Sequence, residues 1–88
     1  MFRMWVKVWN ENHLVKDMVY ENDKTIRRTE KVLDGLREAC EKWDMTSPIW
    51  LDVNIKDFKR HSRCRFNKDS FEEAIEFEYL ELQVIEED

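Results

Sequence analysis

The sequence predicts an α+β fold: an antiparallel sheet of about four strands, one long helix packed on one face of it, and one or two short helices. Three observations predict it. Phe2, Met4, Val6 and Val8 alternate with Arg3, Trp5, Lys7 and Trp9, the period of two expected of a strand. Val32, Leu33, Leu36, Ala39, Cys40 and Trp43 recur at helical spacing. Near the other end, Leu80, Leu82 and Val84 alternate with Tyr79, Glu81, Gln83 and Ile85 in a strand predicted over residues 77–85.

The elements follow in order. After the first strand, Asn10-Glu11-Asn12-His13 is a turn cluster, and residues 14–20 resume a strand pattern with the β-branched Val15 and Val19, so the two runs predict a hairpin. Trp5 and Trp9 fall on the mixed face of the first strand with Arg3 and Lys7. Either a second layer built from residues 52–76 covers that face or the indoles are partly exposed.

Asn22 or Asp23 is expected to cap the long helix, whose stripe from Val32 to Trp43 faces the core. Gly35 inside it costs up to about 1 kcal/mol relative to Ala, which predicts a neighbouring element in close approach. Pro48 follows the helix, and Ile49-Trp50-Leu51 reads as a short buried strand. Asp52 or Asn54 is expected to cap a short helix with Ile55 and Phe58 inward and Lys56, Lys59 and Arg60 outward. Arg63-Cys64-Arg65-Phe66 alternates as a strand with Cys64 and Phe66 inward. Asp69 and Glu72 have capping-box spacing and predict one or two further helical turns. Glu86-Glu87-Asp88 reads as a frayed tail. No repeat or linker divides the 88 residues, so a single domain spanning 1–88 is expected.

Charged residues make up 40% of the chain, well above the roughly 25% average, which predicts a surface dense in charge. They are segregated. Residues 56–68 hold six bases against the single acid Asp57, whereas residues 69–88 hold nine acids and no base. Lys59, Arg60, Arg63 and Arg65 are the candidate binding residues of the basic strip, because such groups contact phosphates while aromatics stack on unpaired bases. The chain as a whole is acidic, at a net −5, the reverse of the usual footprint of nucleic-acid binders. The acidic run is also close enough to neutralise the strip from within, if the last strand pairs beside Arg63 and Arg65.

Catalytic patterns are absent from the sequence. The single Gly35 excludes a glycine-rich phosphate loop, and none of the serines sits in a Gly-x-Ser-x-Gly elbow. Cys64 and His61 form one close pair where a structural zinc site needs two, so no metal and no cofactor are expected. Cys40 and Cys64 lie in apolar patterns and are expected as reduced, buried thiols. The chain starts without a signal-peptide core and lacks a membrane-length apolar run, from which a cytoplasmic location and no membrane association are expected.

In Pro48-Ile49-Trp50-Leu51-Asp52-Val53-Asn54-Ile55, Phe58-Lys59-Arg60-His61 with Arg65-Phe66, and Phe77-Glu78-Tyr79-Leu80-Glu81 with Gln83-Val84-Ile85-Glu86-Glu87-Asp88, the chain resembles a group of small uncharacterised proteins of anaerobic Gram-positive bacteria. The resemblance implies a short bacterial protein and brings no activity or ligand with it.

The functional expectation is a non-enzymatic interaction module with a macromolecular partner, a protein in preference to a nucleic acid. Trp5 and Trp9 are its candidate aromatic anchors, since exposed indoles flanked by bases are enriched in interfaces. Single-stranded nucleic-acid binding through the strip 56–68 is one alternative. An acidic inhibitor seated in a basic groove of a nucleic-acid-handling protein is another. A homodimer through a free sheet edge also stays open.

Overall fold

The structure is a computed structural model that describes residues 1–87. It is α+β, with a four-stranded antiparallel sheet and two α-helices. Strands β1 (Phe2–Asn10) and β2 (His13–Asn22) form the hairpin. Glu11 and Asn12 both take the left-handed conformation, at φ 50° and 66°, as a two-residue hairpin turn of matching twist requires. Helices α1 (Arg28–Lys42) and α2 (Asp52–His61) follow, then β3 (Arg63–Phe66) and β4 (Tyr79–Glu86).

The strand order is β2-β1-β4-β3. The connection through both helices therefore carries the chain from one sheet edge to the other, and β4 returns to fill the gap between β1 and β3. Phe2, Met4, Val6 and Val8 of β1 share one buried cluster with Cys64, Phe66, Leu80 and Leu82 of β3 and β4, with Val32, Leu36, Ala39 and Cys40 of α1, and with Phe58 of α2. Both cysteines are free and buried. A Cβ on Gly35 would stand 2.6 Å from Met4 Cε and 2.8 Å from Tyr20 Cδ2, so the glycine marks the close approach that its place in a helix suggested.

Several local expectations are corrected. No side chain caps α1. Asn22 Oδ1 instead accepts from the backbone N–H of Lys24 at 2.8 Å, which turns the chain just after β2, and the helix begins only at Arg28. Leu33, placed on the inward stripe by spacing, is exposed, and so is Ile55 of α2. Ile49-Trp50-Leu51 is not a strand: Ile49 and Leu51 are exposed, while Trp50 alone packs, edge-on against Phe58 and Phe66 at 5.8 and 4.9 Å. The helix expected from Asp69 gives way to a 3-10 turn at Lys68–Ser70, because Asn67 accepts from the Asp69 N–H one step earlier and Phe71 is already extended. Glu86 lies within β4 and Glu87 bonds to Arg28, whereas Asp88 lies outside the described residues.

The ends of the helices show how a chain with one glycine makes its turns. After α1, Asp44 occupies the left-handed position at φ 51°, with its N–H on Glu41 O and the Met45 N–H on Cys40 O, a Schellman closure that usually employs glycine. Ser62 takes the left-handed position after α2, at φ 55°, with a single bond from its N–H to Phe58 O, the simpler αL closure. At the start of α2, Asn54 reaches back to accept from the Leu51 N–H at 2.9 Å and donates to Arg65 O at 2.8 Å, tying the helix to β3.

Candidate functional site: the aromatic face of the sheet

Strand pairing assembles rows across the sheet on the face opposite the buried cluster. Trp5 stands between Val19 and Gln83, with Arg63 next along; Lys7 stands between Asp17 and Glu81, with Arg65 next; Trp9 pairs with Leu14 and Tyr79. The sheet thus brings together Trp5, Trp9, Arg63 and Arg65. It does not bring Lys59 or Arg60 there, since both are exposed on α2.

Lys7 is the centre of the arrangement. Its ammonium donates to Gln83 Oε1 at 2.8 Å, pairs with Glu81 Oε1 at 3.0 Å, and sits 4.1 Å from the Trp5 ring centroid and 5.9 Å from that of Trp9. Glu81 Oε1 also accepts from Trp9 Nε1 at 3.0 Å, and Oε2 accepts from Arg65 Nε at 3.2 Å. The Arg65 guanidinium lies 4.6 Å from the Tyr79 ring centroid, and Trp5 Nε1 donates to Asp17 Oδ2 at 2.7 Å. Apart from the two indoles that flank Lys7 on its own strand, every one of these partners lies on a neighbouring strand.

The outcome is a buried ion pair on a sheet face. Lys7 is only 6% exposed and Glu81 only 3%, while the indoles around them stay half-exposed. Burial works against the Glu81 charge, but hydrogen bonds from Lys7, Trp9 and Arg65 and the Lys7 charge outweigh it and hold the carboxyl below the usual glutamate range. The group is ionised at neutral pH and offers no proton for acid catalysis.

The second layer weighed for this face is not formed by residues 52–76. Residues 63–66 are themselves the outer strand, and Phe58 and Phe71 pack with the cluster on the other face. Sequence reasoning picked out the two indoles and the arginines but missed Lys7, Glu81, Gln83 and Tyr79. The alternation that put Tyr79, Glu81 and Gln83 on one face of the last strand was the available signal.

The charge layout is also resolved at this point. Of the basic strip, Arg65 is paired with the acidic run; among the described residues Lys56, Lys59, Arg60, Arg63 and Lys68 have no ion-pair partner. The acidic run instead reaches back to the first half of the chain, through Glu81 to Lys7, Glu86 to Arg3 and Glu87 to Arg28.

No family model, curated protein or solved structure matches the chain. Among the described residues, no cluster of His, Cys, Asp and Glu is placed to hold a metal ion, and no helix is long and apolar enough to cross a membrane.

Proposed function

We propose that this chain is a non-enzymatic interaction module that packs its long helix on one face of the sheet and binds a protein partner with the other. The observation that carries this reading is the pre-organisation of the indoles. Trp5 and Trp9 flank the Lys7 ammonium and each spends its N–H on a carboxylate of the same face, Asp17 and Glu81. Aromatic anchors already fixed in place lose little side-chain entropy on binding, and that economy is what makes such residues interface hot spots.

The electrostatics favour a protein over a single-stranded nucleic acid. Lys7 and Arg65 are committed to Glu81, and Arg3 stands between Glu21 and Glu86, so of the bases in these rows only Arg63 is not matched by an acid among the described residues. A phosphate chain would need them free. For the reading of an acidic inhibitor, Glu81, Glu86 and Glu87 are engaged within the chain, which leaves Glu72, Glu73, Glu76 and Glu78 as the glutamates of the run without an ion-pair partner among the described residues.

The test compares proteins retained from a native lysate by immobilised wild type and by Trp5→Ala/Trp9→Ala, with far-UV circular dichroism to check that the variant is folded. Loss of specific partners from the folded variant is expected. An identical set on both would remove this face from consideration.

A further inference from the structure

On the helical side, a groove of about 330 Å³ lies between α1 and α2, lined by Val32 and Leu33, by Ile55 and Phe58, and by Trp50. Leu33 is 48% exposed and Ile55 39%. A lone exposed leucine needs no explanation. Here two such residues, one from each helix, form the walls of one trough with buried Phe58 as part of its lining.

The charges around it are one-sided. In a chain with 20 acids and 15 bases, the charged residues lining the groove are Arg28 and Lys59, with no acid among them. Lys59 has no ion-pair partner among the described residues. Arg28 is stacked 5.0 Å from the Phe58 ring centroid and already donates to a carboxylate, that of exposed Glu87, whose oxygens stand 2.9 and 3.2 Å from its Nε. Trp50 Nε1 is buried and has no hydrogen-bond partner.

We propose that this groove is a docking site for an acidic amphipathic helix of a partner protein. Apolar anchors at i, i+3 or i+4, and i+7 would lie between Leu33 and Ile55. Carboxylates flanking the anchors would meet Lys59 and, by displacing Glu87, Arg28. A small molecule suits the trough less well, because ligand pockets bury most of their ligand's surface and these walls are half open to water. The site is separate from the sheet face, so either surface can fail its test without the other.

The test is fluorescence anisotropy of the full chain with a labelled model helix of about 18 residues, Leu at the anchor positions and Glu elsewhere, against the same peptide with Lys in place of Glu. Saturable binding of the acidic peptide is expected, at least about tenfold tighter than the basic one and weaker as salt is raised. Leu33→Asp/Ile55→Asp, both at exposed positions, should lower the affinity about tenfold or more with an unchanged circular dichroism spectrum. Glu87→Gln should raise it about two- to threefold by freeing Arg28. No binding of the acidic peptide, equal binding of the basic one, or an unaffected double variant would each overturn the proposal. So would self-association in sedimentation that the double variant abolishes, which would give the groove to a second copy.

Discussion

Lys7 and Glu81 stand directly opposite each other on the two central strands and form a 3.0 Å ion pair that the flanking side chains close off from water. Removing Lys7 leaves the Glu81 carboxylate buried with only the Arg65 guanidinium, on a largely exposed side chain, as its counter-charge. Lys7→Met is therefore expected to destabilise the fold by about 3–5 kcal/mol, whereas Lys7→Met/Glu81→Leu should lose clearly less than the sum of the two single changes. Urea denaturation of the four proteins gives the coupling energy, and simple additivity would show that the pair does not act as a unit.

Stability should fall on acidification. Glu81 and Asp34 both have lowered pKa values, Asp34 first because it accepts the Tyr20 hydroxyl proton and then through Arg37. A group lowered in the folded state stabilises above its unfolded pKa and ceases to as pH drops through the folded value, so the loss should begin below about pH 5. Tyr20 has the opposite sign: burial and its bond to Asp34 raise it, so its contribution is present at neutral pH and lost above the ordinary tyrosine value of about 10. Urea midpoints across pH should show both limbs, and Tyr20→Phe should reduce the alkaline one, to which the buried thiols Cys64 and Cys40 also contribute because burial raises them.

Gly35→Ala should destabilise, against helix propensity. The substitution gains up to about 1 kcal/mol of intrinsic preference, yet the new methyl would meet the Tyr20 ring at 2.8 and 2.9 Å. That ring is held by its hydroxyl, which donates to Asp34 and accepts from Asn22. Overpacking of this kind costs about 1–3 kcal/mol, so a lower thermal midpoint is expected, and a higher one would show that the ring yields.

Asn54→Leu should cost about 1–3 kcal/mol although it makes the interior more apolar. The Leu51 N–H and the Arg65 carbonyl lose their partner, and α2 loses its link to β3. Hydrogen exchange should report faster opening at Leu51 and in α2 than in the β1–β2 hairpin.

Cys64 should resist thiol reagents at neutral pH. Burial, with Asp57 and Glu81 adding to it, pushes its pKa up to about 12, and Cys40 is raised as well by burial. Labelling is expected only after addition of denaturant. Rapid labelling of the native protein would contradict this burial.

The strands and α1 were legible in the sequence because alternation and helical spacing are local signals, and Trp5 and Trp9 were placed on the mixed face by the same alternation. The burial of Lys7 was not legible. A lysine on the polar side of a strand reads as solvated, and what closes over it is an indole two residues away on either side and a glutamate from the far end of the chain. Leu33 and Ile55 fit inward stripes by spacing. Their exposure depends on how two helices sit against each other, which neither pattern encodes. Ile49-Trp50-Leu51 has strand composition but no strand beside it, so only Trp50 found a packing partner.

The place of β4 between β1 and β3 has a consequence for synthesis. A nascent chain can close the hairpin of residues 2–22 early, and it makes both helices and the edge strand before residues 79–86 leave the ribosome. Until they do, the inner edge of β1 lacks its neighbour and β3 has nothing to pair with. Completing the sheet thus requires β4 to pair between β1 and β3, and its pairing with β1 is a contact long-range in sequence, of the kind that slows folding. Products stopped short of residue 79 would expose the β1 edge and its apolar row, a template for aggregation.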